Sequence, residues 1–233
     1  MQQLSEQTPV VLSITNHDPT GASGIHADIE SLSSIGCHCA PVVSAITVQD
    51  TANFKKLSPI PGQLIAEQAR AVLEDMPVTA IKIGMMASLE SIHAISQILC
   101  DYPNLPIVLD PNIHCLSRHY WQDDTLLEAL KIMLLPLATV CHLSAHEIKL
   151  VAPLADTLDA SAQEIMGYGV DYLLLTQGKM DKTHFFNNVY GNYRLLEQYR
   201  FPKLPHEYNG MHCTMSACIT GFLAQGLDAF SAV

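Results

Sequence analysis

Short apolar runs suited to strands alternate with amphipathic stretches suited to helices along nearly the whole chain, and this alternation limits the fold more than any other feature. Pro9 to Thr15 is a nearly continuous apolar run, short enough for a strand buried on both faces. A turn-rich segment, Asn16-His17-Asp18-Pro19-Thr20-Gly21-Ala22-Ser23-Gly24, then opens a predicted helix from about Ile25 to Ile35, closed by Gly36. Ala40 to Val48, Ala80 to Ile83, Pro106 to Leu109, Ala138 to Cys141 and Asp171 to Leu175 repeat the strand pattern. Pro61 to Leu73, Ser88 to Leu99, Thr125 to Leu135 and Ser161 to Tyr168 are the predicted helices between them. Strand and helix return every ~25 to 35 residues, as in a parallel sheet with right-handed crossovers. From His184 to Phe201 the period shifts towards two, which predicts an antiparallel excursion. No linker cuts the chain, so the expectation is an α/β protein with one domain over residues 1–233.

Hydrophobic residues make up 48% of the chain and charged ones 15%, a balance that favours a large buried core over disorder. The formal charge of −11, with no cluster of Lys and Arg to offset it, argues against a nucleic-acid or anionic-membrane partner. Any anionic substrate must then be held locally, by helix ends and a metal. The start lacks a basic region followed by an apolar one, and nowhere do 18 apolar residues run together, so the expected location is the cytoplasm. Seven cysteines without a CxxC pair read as reduced thiols. Cys37-His38-Cys39, His114-Cys115 and Cys141-His142 are adjacent residues that point to opposite faces of a strand, which argues against a structural zinc.

Open parallel sheets bind ligands beyond the C-terminal ends of their strands, which directs attention to Asn16, Asp28, Gln49 and Asp110. Asp28 is expected in a first helical turn, either solvated there or accepting hydrogen bonds from a ligand amine or hydroxyl. Ser144-Ala145-His146-Glu147 has the spacing of a capping box, and Glu147 is alternatively placed to reach magnesium through water. Near the C-terminus, Gly210 breaks the chain before Met211-His212-Cys213, and a helix from Cys213 onward would turn unpaired N–H groups towards an anion. Cys213 is either a small core residue or a first-turn thiol whose pKa tends to fall, close to a substrate hydroxyl.

Taken together, these motifs resemble the bacterial hydroxymethylpyrimidine/phosphomethylpyrimidine kinases of thiamine biosynthesis, members of the ribokinase-like superfamily. Asp18-Pro19-Thr20-Gly21-Ala22-Ser23-Gly24-Ile25-His26-Ala27-Asp28 is similar to DPSGGAGIQAD, and Ser44 to Thr51 to TALTAQNT. Lys82-Ile83-Gly84-Met85 matches KIGM, Val108-Leu109-Asp110-Pro111 matches VLDP, and Leu134 to Ala138 matches LLPLA. The resemblance implies a three-layer α/β/α ribokinase-like fold, ATP and magnesium as cofactors, a small aminopyrimidine as substrate, and a homodimer.

By the same resemblance, Asp28 and Gln49 would hydrogen-bond the aminopyrimidine, with Asn16, Thr47, Met85 and Asn112 around the ring. Gly210, His212 and Cys213 would form the catalytic anion hole. Ser144, Thr176 and Lys179 would lie on the nucleotide side, and Asp110 and Glu147 would arrange magnesium and phosphates. Departures gather on the nucleotide side. GTGC becomes Gly210-Met211-His212-Cys213, TPNxxE becomes His142 to Glu147 with the Asn lost, and the Lys of VKGGH becomes Thr176 with Lys179 nearby. The Lys-Ser-Gly after the DPV strand end becomes Leu116-Ser117-Arg118.

Overall fold

Apolar residues of both parities along each central strand require cover on both faces, and the computed structural model supplies it. It describes residues 8–113, 124–181, 183–205 and 208–233, and the Leu116-Ser117-Arg118 departure lies outside them. The strands are β1 (Val10–His17), β2 (His38–Gln49), β3 (Phe54–Pro59), β4 (Val78–Ile83), β5 (Ile107–Leu109), β6 (Val140–Ser144), β7 (Tyr172–Met180), β8 (His184–Gly191) and β9 (Arg194–Pro202). The helices are α1 (Gly24–Ser34), α2 (Gly62–Asp75), α3 (Leu89–Asp101), α4 (Thr125–Met133), α5 (Glu147–Val151), α6 (Leu158–Met166), α7 (Met211–Ala224) and α8 (Ala229–Ala232). All nine strands join one sheet in the order β3-β2-β1-β4-β5-β6-β7-β8-β9. The run from β2 through β1, β4, β5 and β6 to β7 is parallel, while β3, β8 and β9 pair antiparallel.

Side-chain alternation divides the core into two slabs. Leu12, Ile14, Ile81, Ile83, Leu109, Cys141, Leu143, Leu173 and Leu175 face one slab, which also contains Ile65 and Ala69 of α2, Ile92 and Ile95 of α3, Leu130 of α4, Ile148 of α5 and Ile165 of α6. The intervening Val11, Ala80, Val108, Val140 and Leu174 face the other, with Leu32 of α1, Ala217 and Leu223 of α7 and Ala232 of α8. Helix, sheet and helix layers follow, as the resemblance implies. Among the described residues no helix is long and apolar enough to cross a membrane.

The 184–201 excursion is the β8–β9 pair, as its period predicts. Strand β3 is an addition that the sequence did not signal. Lys55, Lys56 and Pro59 are exposed on it, and charge and proline are how an edge strand is kept from pairing further, so the pattern is not that of a buried strand.

Candidate active site

Strand parity gathers the polar residues on the α1/α7 face. With Leu12 and Ile14 turned to the first slab, Ser13 turns to the second, and the same count places Lys82 of β4, His142 of β6 and Thr176 of β7 there. Asp110, two residues past Val108, continues that parity just beyond β5. Since β1, β4, β5, β6 and β7 are neighbours, these side chains form a row near the C-terminal edge of the sheet.

The row is covered by the 18–24 loop and the N-terminal turn of α7. Asp18, fully buried, accepts from the backbone N–H and hydroxyl groups of both Thr20 and Ser23, which shapes the loop. Burial works against its charge, but these bonds outweigh burial and hold its carboxyl below the usual value. The loop docks on α7 through the Gly24 N–H, which donates to Cys213 Sγ at 3.4 Å. Gly210 caps α7 with φ of 84°, and a Cβ there would lie 1.7 Å from the Ala22 carbonyl oxygen, so a side chain cannot fit while the loop is docked. Asp28 of α1 and Lys82 of β4 are close enough for their charges to act on the Cys213 thiol, so the three lie in one cluster.

Asp28 departs from expectation in two respects. Helix α1 begins at Gly24, so Asp28 is its fifth residue and not in the first turn. Its side chain is also fully buried, with Oδ1 2.5 Å from Lys82 Nζ and Oδ2 accepting from Ser13 Oγ at 2.6 Å. As arranged, the carboxylate holds Lys82 and does not present itself to a ring amine. Burial works against the Lys82 charge, but Asp28, together with Asp110, outweighs it and keeps the ammonium above the ordinary lysine value. Lys82 is the principal residue the sequence reading passed over, and its signal was a lone charge inside the apolar Val78–Ile83 run.

The other proposed ring contacts are dispersed over the same edge. Asn16 and Gln49 lie within strand ends rather than in loops, and Thr47 Oγ1 donates to the His17 carbonyl at 2.9 Å. Met85 is buried in a small cluster with Ala45 and Leu57, and Asn112 is half-buried with φ of 50°. The cavity of about 390 Å³ lined by Leu73, Met76, Val78, Tyr102 and Leu105 opens at the other end of the strands, by the start of β4 and β5.

Cys213 does not have a lowered pKa. Burial pushes its thiol up to about 12, against the pull of Lys82 and with Asp110 and Asp28 adding to the rise, so it is neutral at physiological pH and cannot act as a base. We expect iodoacetamide at pH 8 to label exposed Cys100 while Cys213 stays unmodified in the folded protein, measured by peptide mass spectrometry. Rapid labelling of Cys213 would refute this burial.

On the nucleotide side, Ser144 and Glu147 form the capping box. Glu147 Oε2 accepts from Ser144 N at 2.9 Å and Ser144 Oγ at 2.7 Å, and Glu147 N donates back to Ser144 Oγ at 3.2 Å. Oε2 of Glu147 is thus engaged in capping. Thr176 Oγ1 donates to the Leu143 carbonyl at 3.4 Å and lies 3.3 Å from His142 Nε2 and 3.4 Å from His212 Nε2. The two imidazoles stand 4.6 Å apart, and His212 Nδ1 is 3.8 Å from Glu147 Oε2. Burial, reinforced by His212, holds His142 well below the usual imidazole value despite the opposing pull of Glu147. Lys179 lies on β7 opposite Phe186, and its side chain is outside the described set. Asp110 Oδ2 accepts from Ser216 Oγ at 2.7 Å, whereas Oδ1 is buried without a partner among the described residues. That oxygen would suit magnesium, but the two imidazoles beside it do not, since magnesium takes oxygen ligands.

The profile of the family described as phosphomethylpyrimidine kinase matches residues 18–233. The chain belongs to the phosphomethylpyrimidine kinase family. It is 31% identical over 237 residues to a Staphylococcus aureus hydroxymethylpyrimidine/phosphomethylpyrimidine kinase, covering 96% of this chain and 83% of that protein. It is 27% identical to the chloroplastic thiamine biosynthetic bifunctional enzyme TH1 of Arabidopsis thaliana, over 97% of this chain, but spans only 45% of that longer protein. The solved phosphomethylpyrimidine kinase of Clostridium difficile 630 superposes with a TM-score of 0.79 at 27% identity, covering 97% of this chain and 95% of that one. Within this family's pattern, His142 and His212 stand where the resemblance gives Thr and Gly.

Proposed function

We propose that the chain is an ATP-dependent kinase of thiamine biosynthesis that phosphorylates 4-amino-5-hydroxymethyl-2-methylpyrimidine, its monophosphate, or both. The observation that carries this reading is the docking of the 18–24 loop on the N-terminus of α7, above the Asp28–Lys82 pair, in a chain of this family. In the reaction, the substrate hydroxyl or phosphate attacks the γ-phosphorus of ATP in line and ADP leaves, the proton of an attacking hydroxyl passing to solvent. The first-turn N–H groups of Met211, His212 and Cys213, with the positive end of the helix dipole, would stabilise the charge on the transferring group. Cys213, neutral, holds the loop through Gly24 rather than moving a proton. Catalysis would come from positioning and electrostatics. Magnesium would supply charge neutralisation on the phosphates if bound, but the residues around Asp110 fit it poorly and no step here depends on it.

A second reading, aminopyrimidine binding with little turnover, is favoured by one feature. His142 and His212 stand beside Thr176, at the strand end expected to take the nucleotide. An ATP-consumption assay with hydroxymethylpyrimidine, its phosphate and pyridoxal separates the readings. The kinase reading expects turnover with a pyrimidine above that with pyridoxal. Calorimetric binding of the pyrimidine without turnover selects the second reading, and a pyridoxal preference or no binding at all rejects both. A homodimer, implied by the family resemblance, belongs to the same proposal.

A further inference from the structure

The two imidazoles that make magnesium a poor fit also suggest what fits better. Asp110, His142 and His212 each offer one ligand atom, and these atoms all lie within 4.8 Å of one another. Asp110 and His142 are 1% and 0% exposed, and each keeps a buried atom without a hydrogen-bond partner among the described residues, Oδ1 and Nδ1 respectively. A partnerless polar atom inside a protein is costly, and two in one cluster point to a ligand that pairs with both.

The hydrogen bonds nearby prepare one of these nitrogens. Thr176 has a single hydroxyl proton, and the Leu143 carbonyl lies 3.4 Å away to accept it. With that proton so placed, the Thr176 oxygen, 3.3 Å from His142 Nε2, can accept from it, and in that tautomer the lone pair of His142 falls on Nδ1, the atom that has no partner among the described residues. A hydrogen bond from the other ring nitrogen to a neighbouring oxygen is how a metal-ligating histidine is usually oriented. Ser216 holds Asp110 in a similar way, donating to Oδ2 and leaving the buried Oδ1 for a ligand.

We propose that Asp110, His142 and His212 bind one divalent transition-metal ion of the zinc, cobalt and nickel class, with at least one coordination position left open. Two imidazoles and one carboxylate suit these borderline ions and leave a fourth position for water or an anion. Ligand atoms in a tetrahedral zinc site stand roughly 3.3 Å apart, so shifts of about 1 Å close the set. His212 sits in the first turn of α7 and is 28% exposed at its side chain, which gives an ion a route in. The site stands independently of the kinase reading, because it rests on the donor set alone.

The test uses the full chain without a histidine tag, stripped with chelator and titrated with cobalt(II). The expected result is one ion per chain with a d–d absorption band of low-coordinate cobalt, a dissociation constant of about 10 µM or tighter, and displacement by zinc but not by millimolar magnesium. His212→Ala, at the partly exposed ligand, should weaken binding by at least about tenfold with unchanged circular dichroism. His26→Gln is the control, since His17 and His26 form a second histidine pair, 5.1 Å apart, whose Nδ1 atoms are also unpartnered. Its affinity should match the parent. Absence of the band, displacement by magnesium, or equal affinity in His212→Ala would overturn the proposal. Loss of binding in His26→Gln with retention in His212→Ala would move the site elsewhere and overturn it equally.

Discussion

Lys82→Met is expected to destabilise the fold by about 3–5 kcal/mol, the usual consequence of removing one partner of a buried ion pair. The residue is 0% exposed, its ammonium lies 2.5 Å from Asp28, and methionine leaves that carboxylate buried with only Ser13 as partner. For a chain of this size the loss is about 6–20 °C in melting temperature, read by calorimetry. Adding Asp28→Asn should return part of it, because the uncompensated charge is then gone. A single variant that melts within a degree of the parent, or a double variant less stable than Lys82→Met alone, would contradict the role assigned to this pair. The pair joins α1 to β4 beneath the α7 terminus, so its loss should also loosen the loop that covers the site.

Gly210→Ala is expected to cost more than about 2 kcal/mol and to reduce phosphoryl transfer by more than about 100-fold. Two effects combine at this position. The backbone is left-handed, with φ of 84°, and the added Cβ would fall 1.7 Å from the Ala22 oxygen, a backbone atom that cannot swing aside. Gly36 separates them, having φ of 80° but nothing within 4 Å of its virtual Cβ. Gly36→Ala should therefore show the conformational strain alone, about 1–2 kcal/mol, and leave activity near the parent. If the two variants melt together and turn over alike, docking of the 18–24 loop on α7 is not what the glycine secures.

Several features of the site were legible in the sequence. The motifs at 18–28, 82–85 and 108–111 give the family, and the profile match over 18–233 bears this out. The capping box at Ser144 and Glu147 was readable because it depends on residues three apart. Less legible were roles set by neighbours distant in sequence. Cys213 reads either as a small core residue or as a first-turn thiol with a lowered pKa, and the first holds because burial outweighs the pull of Lys82. Asp28 reads either as a solvated first-turn carboxylate or as a ligand acceptor, yet its two oxygens meet Ser13 and Lys82, which lie 15 and 54 residues away along the chain.

The sequence by itself determined the alternation of strand and helix, the burial of the central strands on both faces, and the face of each strand on which Ser13, Lys82, Asp110, His142 and Thr176 fall, because side-chain periodicity is a local property of the backbone. Only the tertiary structure decided which of them meet. The order β1-β4-β5-β6-β7 and the docking of α7 bring Asp110, His142 and His212 to within 4.8 Å, and no local pattern encodes it, since strand order is set by packing the whole chain into one sheet.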